Sequence, residues 1–341
     1  MLRVSLAAAL LAGSGMAQDH SNWGAPDEWS SDPQYATSKA ICRRVGAPRL
    51  PPGDQPSAAQ AKALKGCDSE KLYYGHGAKP DYARARQCAA IEARGDGDLA
   101  FGGATILMQI YANGRGVARN PDLATAYACG IWGAPAELHG RVMHLQGLKT
   151  KPEDDFDICD DITSGLMMGE CSARASRELA VSRDARIATL VARFPPTAVA
   201  LYPPLKRAFE TFLAAHGEGE VDLSGTARGA MMTEEKDRVR DQFVLDLTRL
   251  AEGRWPAATA AEASAADAQL NASYRKALTW AAGETYSTVK PDEIRQAQRA
   301  WLTYRDAFAR FAAASGQARP DAVLARLTRL RTAQLDALAE S

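Results

Sequence analysis

The chain has little that would seat it in a membrane, on nucleic acid or around a metal. Beyond its first seventeen residues no segment is apolar over the roughly 20 residues a bilayer-spanning helix needs. Basic and acidic side chains balance at 41 each, which leaves no concentrated positive charge for a phosphate backbone. No Cys-x-x-Cys pair and no cysteine–histidine cluster at ligand spacing occurs, so neither a zinc site nor any other metal or cofactor is expected. Isoleucine is scarce while alanine and arginine abound, a balance that favours helix over sheet.

What is present begins with a leader. Arg3 supplies a positive start, Val4 to Ala12 a short apolar run, and Gly15-Met16-Ala17 a small-x-small site, so residues 1–17 read as a cleaved signal peptide. Leu11-Ala12-Gly13 is followed by Ser14 rather than cysteine, so no lipid anchor is expected, and the mature chain should be periplasmic or secreted. Cys42, Cys67, Cys88, Cys129, Cys159 and Cys171 all lie in the first half. An even count in an exported chain reads as three disulfides, and six cysteines allow 15 pairings, so spacing alone assigns none.

Residues 18–60 are polar and proline-rich and read as an irregular arm tied down at Cys42. A repeat follows over 61–172. Leu72-Tyr73-Tyr74-Gly75-His76-Gly77 leads into Pro80-Asp81 and on to Cys88. Ile110-Tyr111-Ala112-Asn113-Gly114-Arg115-Gly116 leads into Pro121-Asp122 and on to Cys129. Glycine suits a left-handed helix end and proline a first helical turn. A looser third copy runs from Leu145-Gln146-Gly147 to Pro152 and Cys159. The pattern Leu107-x-x-Ile110-Tyr111-x-x-Gly114-x-Gly116-Val117, with Asp122 and Ala126, resembles the Sel-like repeat. That resemblance implies helical hairpins of the tetratricopeptide superfamily, stacked so that a concave face is left for a protein partner.

Residues 173–260 read as further helix, interrupted at Pro195-Pro196, Pro203-Pro204 and Ser224-Gly225; they are either a linker or a central domain. In 261–341 the spacing predicts three amphipathic helices. One opens at Asp267 and carries Leu270, Tyr274 and Leu278. The next opens at Pro291 and bears the stripe Ile294, Ala297, Trp301, Tyr304, Phe308 and Phe311. The last opens at Pro320. Short connections make these a small antiparallel bundle, so the whole is all-α: a helical-hairpin repeat solenoid with disulfides, then a bundle. Asp267-x-x-Leu270-Asn271-x-x-Tyr274, Gln298-x-x-Trp301-x-x-Tyr304-Arg305-Asp306 and Leu327-Thr328-x-x-Arg331-x-x-x-Leu335 resemble the LprI family, whose founding members are described as lysozyme inhibitors. The family usually carries a cysteine after Arg-Asp and another before Leu-Thr. Here Ala307-Phe308-Ala309 and Ala322-Val323-Leu324 stand there, so apolar packing must supply what a disulfide contributes, about 2–4 kcal/mol.

Catalytic chemistry is sparse. Ser273-x-x-Lys276 matches a nucleophile motif without its companions. His139 and His144 are five apart, not the four that puts two imidazoles on one helix face, and His216 has no evident partner. The acidic run Glu153 to Asp161 lacks the glycine and distal glutamate of a calcium loop and reads as a solvated face at a helix start. No enzyme is expected. The resemblance implies a protein partner in the cell envelope, a lysozyme foremost, with Gln298, Trp301, Tyr304, Arg305, Asp306 and Arg331 as its candidate contacts. Arg331 is expected to meet Asp306 or Asp267. The alternative is a general envelope adaptor that uses the repeat groove. Charge divides unevenly: residues 18–172 hold 16 basic and 20 acidic side chains, residues 267–341 hold 11 and 8. The acidic half is therefore the repeat half, and a basic target would be steered there.

Overall fold

The computed structural model describes residues 22–25, 31–95, 100–151 and 153–340. The expected leader and its cleavage site lie outside the described residues. Every regular element among the described residues is helical, and no helix is long and apolar enough to cross a membrane.

The first half packs short helices: α1 (Ala36–Val45), α2 (Ala58–Ala63), α3 (Ser69–Tyr74), α4 (Tyr82–Glu92), α5 (Gly103–Asn113), α6 (Pro121–Ala128) and α7 (Pro135–Gly147). Both expected turns form. α3 ends at Gly75 (φ 86°) and α5 at Gly114 (φ 65°), left-handed positions where a β-carbon is strained. Asp81 and Asn120 then cap the following helices through the amides of Arg84 and Leu123, at 3.0 Å each. In the second unit Pro121 takes the first helical position; in the first, Pro80 falls just before the cap.

Two expectations for this half are corrected. The arm is not irregular throughout, because α1 lies within it. That helix has no side-chain N-cap and is held by tertiary contacts. Cys42 bonds Cys129, and the indole of Trp23 donates to Ser38 at 2.9 Å. The third copy forms no second helix; Ile158–Asp161 is a single 3₁₀ turn. Its acids open that turn as expected, with Glu153, Asp154, Asp155 and Asp160 exposed and Asp157 as its cap, and three of them also act as straps. Asp155 meets Arg115 at 2.7 Å, Asp157 meets Arg174 at 2.6 Å, and Asp161 meets His144 at 2.9 Å. The three disulfides join Cys42 to Cys129, Cys67 to Cys88 and Cys159 to Cys171. Closed disulfides persist in oxidising, extracytoplasmic surroundings.

The long helix α8 (Gly165–Val191) connects the halves. It is proline-free and rich in alanine and arginine, which sustains its length. Met167 and Cys171 belong to the first core, Leu190 to the second. After the short α9 (Pro196–Val199) come α10 (Tyr202–Gly219), α11 (Arg228–Ala251), α12 (Ala260–Gly283), α13 (Pro291–Ser315) and α14 (Pro320–Leu338). Proline sits in the first turn of α10, α13 and α14. α12 starts seven residues before the expected Asp267, because Thr259 and Glu262 form a capping box ahead of it.

The second core runs from Leu190 to Leu335 and includes Phe209, Phe212, Phe243 and Leu247 from α10 and α11. Phe212 stacks on Tyr304 at 5.7 Å, and Phe209 stacks on Phe243 at 4.2 Å. The three C-terminal helices thus share one apolar interior with the segment before them. Phe308 and Phe311 of α13 and Val323 of α14 are fully buried.

α8 also lies close along α11. A β-carbon at Gly165 would come within 2.3 Å of the Thr226 carbonyl carbon, and one at Gly169 within 3.2 Å of the Gly229 α-carbon. Gly147, at the end of α7, faces open space. Gly165→Ala is expected to destabilise by about 1–3 kcal/mol through this overlap. Gly147→Ala is expected to be neutral or stabilising by up to about 1 kcal/mol. Denaturant midpoints of the oxidised proteins measure both.

Candidate functional site

The motif residues of α13 and α14 turn mostly inward. Trp301 and Tyr304 are buried in the second core, and burial pushes the Tyr304 phenol well above its ordinary pKa. Arg331 is 0% exposed. Its guanidinium donates to Gln298 Oε1 at 2.9 Å and, as a two-pronged fork, to both carboxylate oxygens of Glu220 at 2.7 and 2.5 Å. The expected contact of Arg331 with Asp306 or Asp267 does not form, since those acids lie on the outer face of the bundle. Arg305 takes that role. It stacks over the Trp301 ring at 5.1 Å and reaches Asp306 at 3.0 Å and Asp267 at 3.5 Å, joining α12 to α13. Of the six residues, only Arg305 and Asp306 keep appreciable side-chain surface, and half of the Asp306 side chain is exposed.

The network continues from Glu220. Its second partner is His216 Nδ1 at 2.7 Å, and His216 Nε2 lies 2.5 Å from Glu235 Oε1. Glu235 in turn meets Arg238 at 2.6 Å. Both ring nitrogens of His216 therefore face carboxylates, an arrangement that an imidazolium satisfies with two donors and a neutral ring cannot. Burial by itself would lower the His216 pKa, but the two carboxylates outweigh it and raise it. Burial would raise Glu220; Arg331 and His216 instead hold it down at about 2. The expectation that His216 lacks a partner is thus overturned. The four-residue step from His216 in α10 to Glu220, the residue that caps it, was its signal, since residues so spaced lie on one side of a helix.

A second buried acid ties α11 to α14. Asp246 accepts from Arg326 at 2.7 Å and from Gln242 at 3.0 Å; burial raises its pKa against the pull of Arg326. Ser273 is buried on the packed face of α12, while Lys276 lies 3.6 Å from Glu340. His139 bonds Ser38 at 3.0 Å. Among the described residues one grouping has metal-like spacing, Cys67, Cys88 and Glu92. Its two sulfurs are bonded to each other and so are not thiolate ligands.

The family described as Lysozyme inhibitor LprI matches this chain over residues 254–337. No curated protein and no solved structure matches it. The matched segment covers α12 to α14, which carry Gln298, Trp301, Tyr304 and Arg331, and leaves out Glu220 and His216.

The network makes stability depend on pH from both sides. Because the folded pKa of His216 is raised, its contribution is complete below the unfolded value of about 6.5 and is lost as pH climbs through the folded one. Glu220, held near 2, contributes above its unfolded value of about 4.3 and loses this as pH falls. His216→Gln should therefore lower the urea midpoint most at pH 5 to 6. The gap to the unaltered chain should narrow toward pH 9. A gap of constant size would show that the ring is not charged in the fold.

Proposed function

We propose that this chain is an exported, non-catalytic protein that binds and inhibits a lysozyme-type muramidase of the cell envelope, acting from the periplasm or outside the cell. The match to the lysozyme-inhibitor family over residues 254–337 carries this reading. Three disulfides support an oxidising location, and the leader-like residues 1–17 support export. The motif's aromatic and amide side chains are occupied in packing and in the Arg331 network, so contact with a partner falls to the outer face that bears Arg305 and Asp306. We divide the mature chain into an arm and Sel-like hairpins up to about residue 172, and a bundle in which 173–260 completes the core of 261–341. A general adaptor without inhibitory activity is the second reading, favoured by a groove in the first half that inhibition does not require.

The test is cell-wall lysis by a basic lysozyme, titrated with the oxidised chain from Gln18 onward. Stoichiometric inhibition is expected, and Asp306→Lys should weaken it about tenfold or more without moving the melting temperature, as loss of a surface contact does. Undiminished lysis at excess protein would remove the inhibitor reading and leave the adaptor.

A further inference from the structure

A groove of about 760 Å³ opens in the disulfide-bonded half, lined by parts of six elements, the turn of Ile158 among them. The start of α3 contributes Asp68 and Glu70, α4 contributes Glu92, and the approach to α5 contributes Phe101. The turn after α6 contributes Ile131 and Trp132, and the first turns of α8 contribute Leu166, Met167 and Glu170. Its size falls within the range of sites that enclose a few side chains or a small ligand.

The lining is apolar where it is deep and where it is open. Phe101, Ile131, Ile158 and Met167 are buried beneath it. Trp132 and Leu166, by contrast, are 60% and 55% exposed on its walls. An exposed indole and an exposed leucine on one groove are surface that a monomer has no packing reason to keep, and tryptophan is among the residue types most enriched as energetic anchors of interfaces.

The charge around this surface has one dominant sign. Asp68, Glu70, Glu92 and Glu170 face a single cation, Arg177, which Glu70 already engages at 2.5 Å. Asp68 caps α3 through the Lys71 amide, and Glu92 binds the amide and hydroxyl of Ser69. Glu170 has no such partner among the described residues and stands on α8 one turn beyond Leu166. A carboxylate without such a partner, in a groove that also exposes indole and aliphatic surface, is a receptor for a cation with an apolar neighbour. A guanidinium satisfies all of it, stacking on the indole and pairing with the acid.

The walls are also fixed in advance. Cys67 lines the groove and is bonded to Cys88 of α4. Cys159–Cys171 ties the turn bearing Ile158 to the part of α8 that presents Leu166 and Glu170. Cys42–Cys129 anchors the turn from which Ile131 and Trp132 project. Each disulfide braces one wall, so little ordering remains to be done when a partner arrives.

We infer that this groove is a docking site for a cationic segment of a protein partner, one that presents arginine or lysine beside a large apolar side chain. The inference goes beyond the inhibitor reading and does not need the partner to be a muramidase. The acid excess of residues 18–172, 20 against 16, steers such a partner toward this half.

The experiment is isothermal titration of the oxidised full chain with two probes: a basic lysozyme, and a short peptide of alternating arginine and leucine. Trp132→Ala and Glu170→Lys are compared with Glu234→Lys, an equal charge change at an exposed position on α11 outside the groove. Both groove variants should raise the Kd for the peptide tenfold or more, with Glu234→Lys changing it less than threefold. Equal weakening by Glu170→Lys and Glu234→Lys would overturn the inference, as would unchanged binding in both groove variants or no binding of the peptide to the unaltered chain. If lysozyme is inhibited while the groove variants inhibit equally well and bind the peptide unaltered, the inhibitor reading stands and the groove falls. If the peptide binds through Trp132 and Glu170 and lysozyme is not inhibited, the groove stands alone.

Discussion

A guanidinium with no exposed surface is the constraint on which the second half of this protein turns. Taking Arg331 out of water costs several kcal/mol unless each of its donors is met. Glu220, at the end of α10, meets it with both oxygens, and Gln298 of α13 takes the remaining direction. Glu220 is itself buried and needs the second donor that His216 provides, and His216 in turn needs Glu235 of α11. Satisfying one buried cation thereby fixes the mutual placement of α10, α11, α13 and α14. The helices matched to the inhibitor family cannot be understood as a closed unit here, because the carboxylate that completes their arginine comes from outside them.

The two halves reach rigidity by different means. The first packs short helices around the almost wholly buried α5 and α6, and three disulfides constrain them. The second has long helices and no disulfide among its described residues. Phe308 and Phe311 of α13 pack with Val323 of α14 in a core that also draws in Phe194 and Phe243. Aromatic packing supplies contact there, and the Arg331 and Asp246 networks supply direction. Apolar contact tolerates small slips of one helix past another, whereas a bidentate ion pair does not.

What the sequence made legible was local. Gly75 and Gly114 announced helix ends, Pro121, Pro291 and Pro320 announced helix starts, and the Trp301–Phe311 stripe announced a buried face, because each depends on residues within a turn or two. The α1 helix escaped notice because it is only ten residues long, has no side-chain N-cap and lies in a proline-rich stretch, so Trp23 and Cys129 rather than a start signal secure it. The third repeat copy failed because its acids are engaged by Arg115, Arg174 and His144, which hold the segment as a strap. Arg331 was assigned the wrong partners: Glu220 lies 111 positions away, and no spacing rule reaches that far. Of the candidate contacts, Trp301 and Tyr304 are buried in the apolar core and Gln298 and Arg331 in the polar network beside it, so packing and hydrogen bonding occupy all four.

The central claim is that Arg331 and Glu220 form one structural unit. A double-mutant cycle on stability, with Arg331→Met, Glu220→Leu and the pair together, tests it most directly. Each single change strands a buried charge and should cost about 3–5 kcal/mol, while the double variant, with both charges gone, should lose far less than the sum. Additive losses in the double variant would contradict the account.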